Sequence, residues 1–348
     1  MGGIMMEHVL TKGPLLDAQG HLTEAGYATS LVKEYCRSAI KASAFRIKEW
    51  DYYLIYNDRF GIALTLDDNS YMSMLSASIL DFENATETTV SPIGLMPMGK
   101  TNLPSTSESG VSRLKIGKSE FTFTVGQGKR RLTCYLDKFK DGKPFEADIL
   151  LFDEPQDSMV IATPFAEDKT AFYYNQKIVG MRAQGTVKIG DEEYVFAPEE
   201  SFGMLDWGRG VWTRDNTWYW GAGHGMVDGH VVGFNIGYGF GDTSAASENM
   251  IFVDGAAHKF DKVTFNIPQT PDGKDDFLKP WTFTSSDGRF EMDFEPIMDR
   301  AACTDLKVII SDQHQIFGKF TGKMILDDGS AIELKDFLGF AEKVRNKW

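Results

Sequence analysis

The sequence predicts an all-β protein of two successive antiparallel barrels, and three observations carry that reading. Asp-Gly pairs recur at Asp141-Gly142, Asp228-Gly229, Asp254-Gly255, Asp272-Gly273, Asp287-Gly288 and Asp328-Gly329, mostly between runs rich in aromatic and β-branched residues. Such pairs supply the positive φ angles of a two-residue hairpin turn. The stretch WDYYLIYNDRFGIALTLDDNSYMSMLSASILDFE, residues 50–83, divides into three strands at Asn57-Asp58 and again from Asp67 to Ser70, which is the pattern of a meander. Finally, DGKPFEAD from Asp141 and DGRFEMD from Asp287 echo one another late in each half, as two copies of one unit would.

Along the chain, residues 22–40 (LTEAGYATSLVKEYCRSAI) are predicted to form a short N-terminal helix with Thr23 as its cap, and the tail KDFLGFAEKVRNKW also has helical character. Residues 94–110 (GLMPMGKTNLPSTSESG) are rich in Ser, Thr, Gly and Pro, which predicts a long surface loop or lid. A fresh series of strands follows residues 153–169 (DEPQDSMVIATPFAEDK). We therefore expect an N-terminal barrel over 1–165 and a C-terminal barrel over 166–348 that carries the site.

The 348 residues, 42% hydrophobic and 25% charged, suffice for two globular cores. A net charge of −14 opposes binding to phosphate backbones and anionic membranes, so no nucleic-acid partner is expected. No window has the roughly 18 to 20 apolar residues of a membrane span. MGGIMMEHVL lacks the parts of a signal peptide, and Met6 stands where a myristoylation motif beginning at Gly2 wants Ser or Thr. The expectation is a cytoplasmic protein with no stable membrane insertion. Cys36, Cys134 and Cys303 are too few and too scattered for a disulfide framework or paired zinc ligands, and the six histidines form no short ligand pair. PDGKDD from Pro271 lacks the spacing of a calcium loop, and no nucleotide-binding glycine motif occurs. No metal and no cofactor are expected.

The segment DWGRGVWTRDNTWYWGAGHG, Asp206 to Gly225, holds four of the seven tryptophans. With Asp228-Gly229 as a two-residue turn, Val227 pairs with His230, His224 with Gly233, Ala222 with Asn235 and Trp220 with Gly237. Directly opposed residues share a face. One face then carries Trp218, Trp220, His224 and Asn235; the other carries Tyr219, Tyr238, Ile236 and Phe234 and reads as packing. The first face has the mixed lining of a ligand cavity, with apolar walls and a few orienting polar groups. The competing reading is a filled barrel in which His224 and Asn235 satisfy one another or the backbone.

Upstream, Asp206 and Arg209 lie three apart between glycines. They form either an ion pair locking a rim or a proton-transfer carboxyl whose geometry Arg209 fixes. Glu248 precedes the strand MIFVDG and reads as rim or site. FYYNQKI, from Phe172, presents Tyr173, Tyr174, Asn175 and Lys177, and only one of two adjacent tyrosines can line any one cavity.

RIKEWDYYLI (46–55), FYYNQKI with MRAQG (172–185), DWGRGVW with WYWGAG, and GFNIGYGF with ENM together resemble the DUF2804 family of unknown function, which stands with the carotenoid hydratases and AttH-like proteins. The resemblance spans nearly the whole chain. It implies two consecutive lipocalin-like β-barrels, and relatives that include carotenoid hydratases and fungal pericyclases acting on polyenes without metal or nucleotide. In the hydratases an acid and a histidine are implicated in protonating a double bond. Asp206, Trp207, Trp212, Trp218, Trp220 and His224 fall in the corresponding glycine- and tryptophan-rich region.

The favoured expectation is a cofactor-independent acid–base enzyme, a hydratase, isomerase or cyclase, acting on a small hydrophobic molecule such as an aromatic or polyene. Asp206, His224 and Arg209 are the candidate catalytic residues. Trp207, Trp212, Trp218, Trp220, Tyr173, Asn235 and Glu248 are the candidate ligand-binding residues. The alternatives are a lipocalin-like carrier using the same pocket and a structural protein whose barrels are filled.

Overall fold

A computed structural model describes residues 7–305 and 310–347, almost all of their regular structure being antiparallel strand in two large curled sheets. The spine of the first sheet runs in the order Met72–Asp81, Phe60–Asp68, Ile47–Tyr56, Phe202–Val211, Asp168–Ile189, Lys143–Phe152 and Lys129–Lys140. The second runs from Met250–Val253 through His230–Tyr238, Asp215–Val227, Ala331–Lys347 and Ile310–Ile325 to Phe290–Asp305. The fold is the expected all-β, lipocalin-like one. The meander over residues 50–83 forms with its breaks where the turn residues stand. Asp141-Gly142, Asp228-Gly229 and Asp254-Gly255 have positive φ at both positions, the geometry that matches strand twist in a two-residue hairpin.

Each curled sheet encloses its own apolar core. Tyr53, Phe123, Leu132, Tyr174 and Trp207 belong to the first, and Phe234, Ile236, Phe283, Phe294 and Phe320 to the second. A third cluster fills the seam where the sheets pack on one another and includes Leu54, Tyr56, Met204, Ala222, Phe317 and Phe340. The strands at the seam are therefore buried on both faces.

Three expectations about organisation are corrected. Residues 22–40 form no helix longer than the three-residue 3-10 turn Arg37–Ala39; Gly26–Ala28 pairs with Met159–Phe165, and Lys33–Glu34 pairs with Gly13–Pro14. Thr23 caps nothing, its hydroxyl donating to the Pro14 carbonyl. Buried positions here alternate, at Gly26 and Ala28 and at Lys33 and Tyr35, so strand pairing overrides helix propensity. The tail is the strand Ala331–Lys347. Its apolar run comes from burial on both faces, which a buried helix would mimic. Lastly, the chain passes from one sheet to the other between Val211 and Asp215, so the sheets divide the chain later than residue 165: Asp168–Ile189 and Phe202–Val211 both belong to the first sheet.

The 94–110 loop is partly buried rather than a free lid. The Asp68 carboxylate accepts from the Gly99 amide and the Thr101 hydroxyl, and Ser107 bonds Gln176 in the interior. Among the described residues no helix is long and apolar enough to cross a membrane.

Candidate active site

The hairpin at Asp228-Gly229 has the register that its turn dictates: Val227 opposite His230, His224 opposite Gly233, Ala222 opposite Asn235 and Trp220 opposite Gly237. Tyr219 and Tyr238 stack at 4.5 Å on the face that enters the second core. Trp218, Trp220, His224 and Asn235 share the other face, which lies against the first sheet. The candidate site is therefore in the seam between the sheets rather than inside either barrel.

Two cross-strand rows meet there. In the first sheet Lys177 stands opposite Asp206, and Asp206 opposite Tyr52. In the second, Trp220 stands opposite Glu342, Glu342 opposite Gln315 and Gln315 opposite Arg300. The rows touch directly. The Lys177 ammonium is 4.5 Å from the centroid of the Trp220 ring, Tyr52 meets Trp220 edge-on at 6.1 Å, and the Gln315 amide donates to the Tyr52 hydroxyl at 3.4 Å.

The charges in this layer are buried and unequally compensated. Lys177 donates to Glu248 at 2.8 Å and to the Tyr173 hydroxyl at 3.2 Å. Burial pulls the Lys177 pKa down, but Glu248, Asp206 and Glu342 together outweigh it and hold the ammonium charged. Asp206 accepts from the Asn175 amide at 2.5 Å and from Trp50; even so, burial outweighs these contacts and the attraction of Lys177, and its pKa is raised. Glu342 accepts from the Trp218 indole at 2.9 Å and from Gln315 at 3.2 Å, yet burial pushes its pKa up to about 7. Two carboxyls are thus held towards their neutral forms beside one fixed cation.

Aromatic rings close the layer on one side. Trp50 stacks on Tyr173 at 6.1 Å and meets Trp212 edge-on at 5.4 Å; Phe240 packs edge-on against Tyr173, Trp212 and Trp218. Gly208 makes this possible, since the Trp50 ring occupies the space that a Cβ there would need. Gly237 does the same for Glu248, whose carboxyl carbon would lie 2.9 Å from such a Cβ. Trp50, Trp212 and Trp218 are half-buried, so the enclosure reaches the surface. A surface depression of about 410 Å³ lies beside it, lined by Arg46, Glu167, Thr213 and Arg214. Arg46 donates to the Trp212 carbonyl and to Asp168. Inside, Asn175 Oδ1 and Trp212 Nε1 have no hydrogen-bond partner among the described residues.

Of the residues expected from sequence, Asp206, Tyr173, Trp212, Trp218, Trp220, Asn235 and Glu248 come together here. Asn235 accepts from the Trp220 indole at 2.8 Å and donates to the Glu248 carbonyl at 2.7 Å. Three do not join them. Arg209 forms no pair with Asp206: three residues apart on an extended strand they point to opposite faces, and Arg209 binds Asp51 at 3.1 Å inside the first core, together with the Trp50, Gly208 and Pro104 carbonyls. Trp207 is buried on that same inner face, its ring 4.4 Å from the Arg209 guanidinium. His224 is on the seam face but four residues beyond Trp220, roughly 13 Å along the strand. It stacks on Tyr56 at 4.2 Å, and among the described residues neither ring nitrogen has a hydrogen-bond partner of good geometry. Burial lowers its pKa to about 3.

Lys177 and Asn175 follow Tyr173 on the same face by simple alternation, so the period of the strand alone places them. Trp50 and Tyr52 alternate likewise but sit far off in sequence. Glu342 and Gln315 had no local signal. Among the described residues one further group of potential metal ligands converges elsewhere, Cys303, Asp312 and His314, although their sequence spacing suggested none.

Comparison with curated proteins returns no match. Among solved structures the chain is similar to a putative AttH from Nitrosomonas europaea, with a TM-score of 0.54 and 11% identity over 95% of this chain and 98% of that one. It is also similar to CghA crystallised with Sch210972, at a TM-score of 0.52 and 10% identity over 96% of this chain and 97% of that one. Kievitone hydratase from Nectria haematococca follows at 0.47 and 11%, with 98% of each chain covered. At 10–11% identity the likeness to the first two is one of fold. The family described as a domain of unknown function, DUF2804, matches residues 6–348, and the chain belongs to that family.

Proposed function

We propose that the protein is a cofactor-independent acid–base enzyme, a hydratase, isomerase or cyclase, acting on a mostly apolar, unsaturated small molecule at the seam between the sheets. The observation that carries this reading is two buried carboxyls, Asp206 in one row and Glu342 in the other, near enough for the charge of Asp206 to help raise the Glu342 pKa, beside the packed rings of Trp50, Tyr173, Trp212, Trp218 and Phe240. A carrier needs only the walls; buried carboxyls with raised pKa values are what proton transfer needs. The likeness to CghA, crystallised with Sch210972, supports a ligand-holding role for the fold.

In this reading Asp206, whose pKa burial raises, donates its proton to a substrate double bond. A carbon–hydrogen bond forms, and positive charge develops on the neighbouring carbon. The faces of Trp50, Trp212 and Trp218 steady that charge. Glu342 then takes a proton, either from an adjacent carbon, which re-forms a double bond, or from a water that adds to the cation. Exchange with solvent restores both carboxyls. Asn175 orients Asp206, and its free Oδ1, with Trp212 Nε1, holds a polar group of the substrate or the attacking water. Entry is by the depression beside Arg46 and Trp212. His224 belongs to the packing of the seam and takes no part in the transfer.

Mass spectrometry of small molecules that co-purify with the protein supplies candidates, which are then incubated with it in D2O. The expected result is deuterium at one carbon, or the addition of one water, with loss of both in Asp206→Asn. A ligand bound and returned unchanged by the parent protein would make this a carrier.

A further inference from the structure

We propose that Cys303, Asp312 and His314 form a binding site for a divalent transition metal of the zinc type on the hairpin of Phe290–Asp305 and Ile310–Ile325. These strands pair with Cys303 opposite Asp312 and Ala301 opposite His314, so the three side chains emerge on one face. The inference is independent of the seam. His314 is the neighbour of Gln315 on its strand, and adjacent residues point to opposite faces.

The geometry is that of a ligand set. Cys303 Sγ lies 3.0 Å from Asp312 Oδ1 and 4.0 Å from His314 Nε2, and His314 Nε2 lies 3.4 Å from Asp312 Oδ1. Around a tetrahedral zinc with ordinary bond lengths, the sulfur–nitrogen and sulfur–oxygen edges are about 3.6 Å and the nitrogen–oxygen edge about 3.3 Å. Each edge therefore needs to change by about 0.6 Å or less to admit the ion. One thiolate, one imidazole and one carboxylate suit zinc or cobalt over magnesium or calcium, which prefer oxygen alone. Cys303 and Asp312 are exposed, leaving the fourth position open to water.

A second observation lies outside the triad. His314 Nδ1 donates to Asp299 Oδ2 at 2.6 Å, and Phe277 stacks on the imidazole at 4.1 Å. Asp299 thereby fixes the tautomer that leaves Nε2 free to ligate, the role that outer carboxylates play for metal-bound histidines. The ring is held in its binding orientation before any ion arrives. On binding, the thiol proton now shared with Asp312 leaves to solvent as the sulfur–metal bond forms.

The test uses the full chain, reduced and stripped with chelator, titrated with Co2+ alone and then with Zn2+. One equivalent of cobalt should produce thiolate-to-cobalt charge-transfer absorption, and zinc should remove it and raise the melting temperature. Cys303→Ser should abolish the band. Asp299→Asn, a change in a positioning residue, should keep the band at saturation while weakening cobalt binding about 10- to 100-fold. Absence of the band, or a band that survives Cys303→Ser because it belongs to Cys36 or Cys134, overturns the proposal.

Discussion

Lys177 and Asp206 stand directly opposite one another on neighbouring strands, yet the Lys177 ammonium makes its short ion pair with Glu248, at 2.8 Å. Glu248 thus absorbs much of the charge that would otherwise stabilise ionised Asp206, and its own charge adds to the rise in the Asp206 pKa. Glu248→Gln removes both effects, and the Asp206 pKa falls. An acid works only while protonated, so the alkaline limb of the rate profile should move to lower pH. A profile of kcat/KM against pH checks this, and an unmoved alkaline limb would separate Asp206 from the step that limits the rate.

Asp206→Asn should lower turnover about 100-fold or more, since Asn keeps the shape and an acceptor oxygen but has no proton to give. The fold should survive. Lys177 retains Glu248, and Arg209 is not a partner of Asp206 at all, so no buried charge is stranded. Melting temperature and turnover measured on the same sample decide the matter: a variant that melts like the parent and turns over at the parental rate removes Asp206 from the chemistry.

The destabilising change lies instead at Asp51. Asp51 accepts from both terminal nitrogens of Arg209 and from Ser112, and the Arg209 side chain is wholly inaccessible to solvent. Asp51→Asn leaves a guanidinium buried with carbonyl partners only, at a cost of about 3 to 5 kcal/mol. The urea midpoint should fall accordingly, without change in the slope of the transition. A midpoint within experimental scatter of the parent would mean that the carbonyls of Trp50, Gly208 and Pro104 suffice.

The contrast between Asp206 and Arg209 shows what was legible in the chain. The Asp228-Gly229 turn fixes a register locally, so Trp220 and His224 could be put on one face without any long-range knowledge. The three-residue spacing of Asp206 and Arg209 between glycines reads as a pair in contact. In a strand the period of two separates them, and it likewise sends Trp207 inward. Glu342 carries no such local signal. Its strand is buried on both faces, so no alternation marks which side it takes. Its neighbours Trp220 and Gln315 reach it only through pairing between distant segments, and Cys303 and His314 meet by the same kind of pairing.

His224 makes the seam sensitive to acid. The ring is 2% exposed, makes no well-formed hydrogen bond among the described residues, and has a pKa lowered by burial to about 3. In the unfolded chain a histidine takes up its proton near pH 6.5. Between those values the unfolded state binds the extra proton, so stability falls as the pH falls: the neutral ring's contribution is complete above about 6.5 and is lost on the way down to about 3. The loss amounts to a few kcal/mol at most. Glu342 runs the other way, since a raised carboxyl pKa favours the fold in acid and that contribution fades as the pH rises through about 7. Comparing one variant with the parent isolates the histidine. His224→Phe keeps an aromatic ring against Tyr56, and the hydrogen bonds between the Tyr56 hydroxyl and the backbone at position 224 do not depend on the side chain. At pH 7.5 the variant should be as stable as the parent, and at pH 4 it should be the more stable of the two. Urea midpoints across that range give the difference directly, and curves that stay parallel would show that His224 does not carry the acid sensitivity of the seam.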